Sequence, residues 1–194
     1  MTPITRTEVL DIAQYERIRE DFRTRVLAQK EARRVQLGPH FTLLFENHQT
    51  VLYQIQEMMR VERMVDETAI AHEIETYNEL IPSPGQLSAT LLIAYDTPEI
   101  RAEKLGQLLG LEHHLLLEAP GLPPAPALFD QRQVSDTRLS SVQYIRFALN
   151  TELHRRWREL GQAGQLRLVA NHPHYQAQTV LTPALVAALA EDLD

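Results

Sequence analysis

The sequence changes character at residues 82–95, which read Pro82-Ser-Pro-Gly-Gln-Leu-Ser-Ala-Thr-Leu-Leu-Ile-Ala-Tyr95. The first four residues interrupt regular structure, because proline restricts its own backbone and that of the residue before it. The apolar run that begins at Leu87 is short and contains no glycine or proline, which is typical of a buried strand. We therefore expect helices before this break and strands after it.

Upstream of the break the pattern is mainly helical. Apolar residues three and four positions apart predict a helix over residues 12–29, and residues 49–81 contain neither glycine nor proline. Two apolar stripes on different faces meet at Asp66, so we predict a helical hairpin in which Asp66 caps the second helix. Only residues 41–45, with aromatic residues at alternate positions, indicate a short strand or turn.

Downstream of the break, strands alternate with short helices. Thr97-Pro98 and Thr182-Pro183 both match the start of a helix, because threonine caps the first turn and proline suits its first position. A shorter helix is predicted around residues 153–160. The predicted strands cover residues 87–95, 113–118, 128–134, 142–149 and 166–170, with 142–149 central in the sheet and 128–134 at an edge.

These patterns predict an α+β fold in which a helical N-terminal half packs on a mostly antiparallel C-terminal sheet with short flanking helices. We expect one domain over residues 1–194, made of a helical half, 1–81, and a sheet-containing half, 86–194. The chain of 194 residues is long enough to bury a single core.

Composition excludes several classes of function. The chain has no cysteine, so disulfides, thiolate metal sites, cysteine nucleophiles and protein-bound iron–sulfur clusters are excluded. A net charge of −7 argues against a nucleic-acid partner, because contact with phosphates needs a basic surface. No apolar run reaches the roughly 18 residues of a membrane span, and the first residues do not resemble a secretory signal. We therefore expect no membrane partner and a cytoplasmic location.

Glu62 is the polar residue with the most unusual predicted position. It follows Ile55 by seven residues and Met58 by four, which puts its carboxylate within an apolar helical stripe. A buried carboxylate must be paired, protonated or bound to a cation, because burying it alone costs several kcal/mol. Glu73 borders the stripe of the next helix, so the two carboxylates are expected to converge in the hairpin.

Two interpretations of Glu62 stay open at this point. One is a structural polar network that consists of Arg33, Arg34, Glu57, Arg60 and Glu62. The other is a metal site, because paired carboxylates on facing helices form non-haem iron centres. His172 and His174 are further candidate ligands, since alternate residues of an extended segment project to the same side. Iron, manganese or zinc would suit glutamate and histidine ligands.

Several stretches resemble a bacterial family of uncharacterised proteins with a domain of unknown function. They are Arg33-Arg-Val-Gln-Leu-Gly-Pro39, Leu44-Phe-Glu-Asn47, Thr50, Gln54-Ile-Gln-Glu-Met58, Arg60, Glu62, Glu73, Tyr77-Asn78, Leu87-Ser-Ala-Thr90, Val142, Tyr144-Ile-Arg-Phe147, His172-Pro173 and Tyr175. Members of this family are often encoded beside rubrerythrin-like and iron–sulfur oxidoreductase-type proteins. The resemblance implies a redox or oxidative-stress setting and assigns no catalytic residue.

The sequence lacks the common catalytic and nucleotide-binding motifs. We therefore expect an accessory or interaction protein of a redox pathway, with a redox-protein partner or a homodimer interface. The alternative is a non-haem metal-dependent enzyme or a metal sensor that uses glutamate and histidine ligands. Whether the protein is an enzyme stays undecided at the level of sequence.

Overall fold

In a computed structural model of the protein, the described residues are 1–133 and 137–193. Their main feature is an antiparallel sheet of eight strands that curves into a nearly closed, barrel-like shape. The strands are β1 (Arg34–Leu37), β2 (Phe41–Glu46), β3 (Gln86–Ile93), β4 (Leu115–Glu118), β5 (Ala125–Phe129), β6 (Val142–Ala148), β7 (Arg167–His172) and β8 (Tyr175–Val180).

The two ends of the sheet approach each other. Neighbouring strands follow the order β1-β2-β3-β6-β5-β4-β7-β8, so β1 and β8 are the outermost strands. The Tyr175 hydroxyl on β8 donates a hydrogen bond of 2.6 Å to the Leu37 carbonyl on β1. The Thr179 hydroxyl donates one of 2.8 Å to the Gln36 carbonyl. These contacts bring β8 against β1, which is why the sheet is nearly closed.

The interior of the sheet is the main hydrophobic core. Side chains alternate between the two faces of a strand, and on β2 the inward residues are Phe41, Leu43 and Phe45, all fully buried. The turn between β1 and β2 contains Gly38 in the left-handed region, with φ of +66°. A Cβ at this position would lie 2.5 Å from the Tyr175 hydroxyl, so glycine is required both for the turn and for the approach of β8.

The described residues also form seven α-helices. They are α1 (Ile12–Ala32), α2 (His48–Glu62), α3 (Glu67–Asn78), α4 (Pro98–Gln107), α5 (Thr151–Arg155), α6 (Trp157–Gln162) and α7 (Pro183–Leu193). The last three contribute to the interior core, where the Trp157 indole donates a hydrogen bond of 3.0 Å to the Val186 carbonyl. Gly161 allows this contact, because a Cβ there would lie 2.2 Å from Val186 Cγ1.

A second hydrophobic cluster lies on the outer face of the sheet. It joins α2 and α3 to the N-terminal segment and to the residues that follow α3, and it includes Ile4, Val51, Ile55, Met59 and Ile74. On α2 the buried apolar residues Val51, Ile55 and Met59 recur every fourth position and therefore share one face. The helical hairpin thus covers part of the sheet from outside.

The predicted α+β fold, a helical N-terminal half packed on a C-terminal sheet, is wrong. Strands begin at residue 34, and β1 and β2 belong to the same sheet as the later strands, because β2 pairs with β3 along its whole length. The supposed helical half 1–81 therefore supplies a quarter of the strands, and helices lie at both ends of the chain. The assignment of residues 1–194 to one domain stays a prediction.

Several individual elements are confirmed. Asp66 caps α3 by accepting a hydrogen bond of 2.9 Å from the Ala69 amide, and Thr97 caps α4 with Pro98 at its start. The predicted edge strand over 128–134 is wrong, because β5 ends at Phe129 and lies between β6 and β4. Val134 is outside the described residues.

Among the described residues no helix is long and apolar enough to cross a membrane.

Candidate functional site

Glu62 does not have the buried environment that was predicted. It is the last residue of α2, and its side chain is exposed. The apolar stripe ends at Met59 because Arg63 adopts a left-handed conformation with φ of 52° and turns the chain towards α3. Glu62 therefore projects past the helix contact into solvent, and so does Val65, which is 81% exposed.

Of the other candidate metal ligands, Glu73 is apart from the two histidines, whereas the rings of His172 and His174 lie 5.8 Å from each other. Glu73 is half-buried on α3, whereas His172 is buried in β7. His172 Nε2 lies 3.0 Å from the Leu109 carbonyl, and its Nδ1 accepts a hydrogen bond of 3.2 Å from the His174 amide. Across residues 1–133 and 137–193, no group of three or more histidine, aspartate or glutamate residues is arranged to hold a metal ion. The metal site of Glu62, Glu73, His172 and His174 stays a prediction.

The residues of the predicted polar network are divided among four places, one of which is the exposed position of Glu62. Glu57 accepts a hydrogen bond of 2.7 Å from the Tyr15 hydroxyl and two from Arg19, and it lies 3.5 Å from Arg60. Together these residues join α1 to α2. Arg34 lies 3.6 Å from Glu31 at the surface. Within the described structure, Glu57 and Arg60 are the members of the predicted network that are brought together.

Arg33 belongs to a different, buried pair. Its guanidinium forms a salt bridge with Asp192 on α7 and donates hydrogen bonds to the carbonyls of Phe45 and Ala188. Both charged side chains are only 2% exposed. Burial lowers the pKa of Arg33 to about 10, and the negative charges of Glu46 and Glu191 oppose this effect. The pair connects the end of α1 to the C-terminal helix, a contact that sequence spacing does not indicate.

A partly enclosed groove lies on the outer face of β3, β5 and β6. It has a volume of about 720 Å³, and α3 and the residues after it form its other side. Outward-facing residues of the strands line its floor, among them Ser88 on β3 and Tyr144 on β6. Tyr77 and Glu73 reach it from α3. We take this groove as the candidate functional site.

A buried carboxylate lies next to the groove, on the same outer face of the sheet. Glu46, the last residue of β2, is 1% exposed and is paired in register with Ser88 of the groove floor. Its two oxygens accept hydrogen bonds from the side chains of Thr50 at 2.5 Å, Thr90 at 2.7 Å and Gln54 at 3.1 Å. All three partners act as donors, an arrangement that suits the ionised form of the carboxylate.

The negative charge of Glu46 contributes to the raised pKa of both tyrosines in the groove. Burial raises the pKa of Tyr77 to about 12, with smaller contributions from Tyr144, Glu73 and Glu46. Burial also raises the pKa of Tyr144, and Glu46 is the next cause. Both phenols therefore stay protonated at neutral pH, and within the described part of the chain neither hydroxyl has a hydrogen-bond partner. Each is available to a ligand in the groove.

The mouth of the groove carries charges of both signs. Arg132 pairs with Glu79 and with Asp130, the latter at 2.7 Å, and it holds the pKa of Asp130 below its ordinary value. Arg146 donates a hydrogen bond to the Glu79 carbonyl. Glu73 differs from these residues: in the described structure its carboxylate has neither an ion pair nor a hydrogen bond. Glu73 is thus a carboxylate in the groove lining that has no partner among the described residues.

Sequence reasoning named Glu73 but missed the rest of the groove. Glu46, Tyr144 and Arg146 come from strands, and strand register brings them onto one face. A signal was present, because the stretches that carry the family resemblance include Glu46, Thr50, Gln54, Glu73, Tyr77, Thr90, Tyr144 and Arg146. Separated by up to a hundred positions, they converge on this groove and its buried carboxylate.

Comparisons with known proteins agree with this resemblance. The chain is similar over its entire length to a crystallised protein from Burkholderia pseudomallei K96243, described as a novel protein of unknown function, with 34% identity, full coverage of both chains and a TM-score of 0.90. No curated protein matches. The profile of the protein family of unknown function DUF3501 matches residues 3–193, and the chain therefore belongs to this family.

Proposed function

We propose that the protein is an accessory or interaction protein that acts by binding, and that the groove beneath α3 is its binding site. The observation that carries the proposal is Glu73, whose half-buried carboxylate lines the groove and has no partner within the described residues. Ligand sites combine a largely apolar lining with a few well-placed polar groups. Glu73 and the hydroxyls of Tyr77 and Tyr144 supply such groups in this groove.

The setting that we propose is a redox or oxidative-stress pathway. Its support is the sequence resemblance to a family whose members are often encoded beside rubrerythrin-like and iron–sulfur oxidoreductase-type proteins. A redox-protein partner, a homodimer and a cytoplasmic location are parts of the same proposal, and they rest on sequence alone.

A complementation experiment tests both the groove and the setting. Thr76 lines the groove from the exposed side of α3, so Thr76→Trp fills the cavity without disturbing the core. His72→Trp is the matched control, because His72 is exposed on the same helix and does not line the groove. In a bacterial strain that lacks the gene, growth in hydrogen peroxide is measured with each variant. We expect wild type and His72→Trp to restore growth and Thr76→Trp to fail.

Two results would count against the proposal. Full restoration of growth by Thr76→Trp would show that the groove is not needed for function, provided that circular dichroism confirms a folded variant. A deletion strain that tolerates peroxide as well as its parent would contradict the oxidative-stress setting.

A further inference from the structure

We infer that the groove binds an organic cation, a ligand that presents an alkylammonium group to Glu73. This inference rests on the proposed function, because it names the ligand class of the same groove. It follows from the balance of charge in the lining, from the free carboxylate and from the two tyrosines beside it.

The charges of the groove favour a positive ligand. Its lining includes the carboxylates of Glu73, Glu79 and Asp130 and the guanidinium groups of Arg132 and Arg146. Arg132 pairs with both Glu79 and Asp130, and the charge of Arg146 also acts on Asp130. Two positive charges therefore offset these two carboxylates. Glu73 stays uncompensated, and in a partly enclosed cavity its attraction for a cation is screened less than at an open surface.

The buried carboxylate adds to this negative potential. Glu46 lies beside the floor, on the same outer face of the sheet as Ser88. In the described structure the side chains that donate to its carboxylate are the uncharged Thr50, Thr90 and Gln54, and the charges of Arg33 and Lys30 offset only part of its own. Its effect reaches the groove, because it contributes to the raised pKa of both Tyr77 and Tyr144. This negative potential would repel an anionic ligand. The cation most able to attract such a ligand is Arg146, which already donates a hydrogen bond to the Glu79 carbonyl.

The tyrosines supply the contacts that an alkylammonium group needs. The rings of Tyr77 and Tyr144 pack against the outer hydrophobic cluster, and both residues line the groove. Aromatic faces attract cations through the ring quadrupole, and phenol oxygens accept hydrogen bonds from ammonium groups. The volume of about 720 Å³ accommodates an aliphatic chain attached to such a group.

Isothermal titration calorimetry with three probes of similar length tests the inference on the full-length protein. The probes are 1,4-diaminobutane, 1,4-butanediol and succinate, which are cationic, neutral and anionic. Glu73→Gln removes the charge, and Glu73→Lys places a permanent ammonium group in the groove. Glu75→Gln and Glu75→Lys are the matched controls, because Glu75 is exposed on the same helix and does not line the groove.

We expect wild type to bind the diamine and neither of the other probes. Glu73→Gln is expected to weaken diamine binding by about fivefold or more, and Glu73→Lys to abolish it. Both Glu75 variants are expected to bind like wild type. Thermal melting checks that every variant is folded.

Absence of diamine binding by wild type would overturn the inference, as would tighter binding of succinate. Equal weakening by the Glu73 and Glu75 variants would also overturn it, because it would indicate attraction to the acidic surface as a whole. These results are distinguishable from failure of the proposed function. If Thr76→Trp fails to complement while the diamine does not bind, the groove is functional and the ligand class is wrong.

Discussion

At the scale of single residues, this protein buries charge in two ways. Glu46 has neutral hydrogen-bond donors around its carboxylate, whereas Arg33 has a carboxylate of opposite charge. We expect substitutions to affect protein stability differently in these two arrangements. Loss of one neutral donor leaves a single oxygen less well satisfied, but loss of a counter-charge leaves a whole buried ion uncompensated.

For Glu46, we predict that Thr90→Val destabilises the protein by about 1–3 kcal/mol. The substitution preserves shape and removes the hydrogen bond of 2.7 Å to a carboxylate oxygen that water does not reach. Thr42→Val on β2 is the control, since among the described residues the hydrogen-bond partner of the Thr42 hydroxyl is the exposed side chain of Gln36. Urea unfolding measures both. An equal loss of unfolding free energy in the two variants would mean that the hydrogen bond to Glu46 contributes no more to stability than a surface hydrogen bond.

For Arg33, we predict that Asp192→Asn lowers the free energy of unfolding by about 3–5 kcal/mol, because it leaves a buried guanidinium without its counter-charge. Glu62→Gln is the informative comparison. The sequence pattern predicts a buried Glu62, but the side chain is exposed, so its change is expected within about 0.5 kcal/mol. A small loss for Asp192→Asn in chemical denaturation would contradict this account of the pair.

At the scale of helices and strands, local signals were sufficient where a local interaction sets the element. The Asp66 cap, the Thr97-Pro98 helix start and the strand at β6 are of this kind, because each depends on residues only a few positions apart. Residues 34–46 were harder. β1 has four residues, and its inward side chains become buried only when β8 approaches from more than a hundred positions away. The residues around β1 therefore give no sign that β8 will cover it.

The contact between α1 and α2 makes a prediction about pH. Hydrogen bonds from Arg19 and Tyr15 lower the pKa of Glu57 from its usual 4.5 to about 2. A carboxylate with a lowered pKa stabilises the fold above its unfolded pKa, and this contribution is lost as the pH falls from about 4.5 to about 2. Glu57→Gln should therefore cost about 1–2 kcal/mol at neutral pH, after allowance for partial exposure.

Denaturant unfolding at several pH values checks this prediction. The difference between wild type and Glu57→Gln should shrink steadily below about pH 4.5 and be nearly gone at about pH 2. Glu16→Gln is a suitable control, because Glu16 is half-exposed and lies 3.7 Å from Arg60. A difference for Glu57→Gln that does not change with pH would show that lost packing, rather than charge, causes the destabilisation.

At the scale of the whole molecule, closure of the sheet explains both the error in the predicted fold and the position of the candidate site. Closure directs one face of each strand into a common core, so the opposite face must be covered by helices or left open. The α2–α3 hairpin covers part of the outer face, and the groove is the adjoining part that it leaves open. The polar residues of several strands meet there because register aligns them.

The same closure predicts how the chain behaves when it is cut at the Pro82–Gly85 break. A fragment of residues 1–81 retains β1, β2 and three helices, but it lacks β3, which pairs with β2 over its full length. Phe41 and Phe45, both fully buried, would then lose most of the core that surrounds them. Because an isolated two-stranded hairpin is marginal in water, we expect the fragment to show no cooperative thermal transition in circular dichroism, whereas the full chain unfolds in one step. A cooperative transition of the fragment alone would contradict the assignment of residues 1–194 to one domain, since it would mean that α2 and α3 stabilise β1 and β2 without the rest of the sheet.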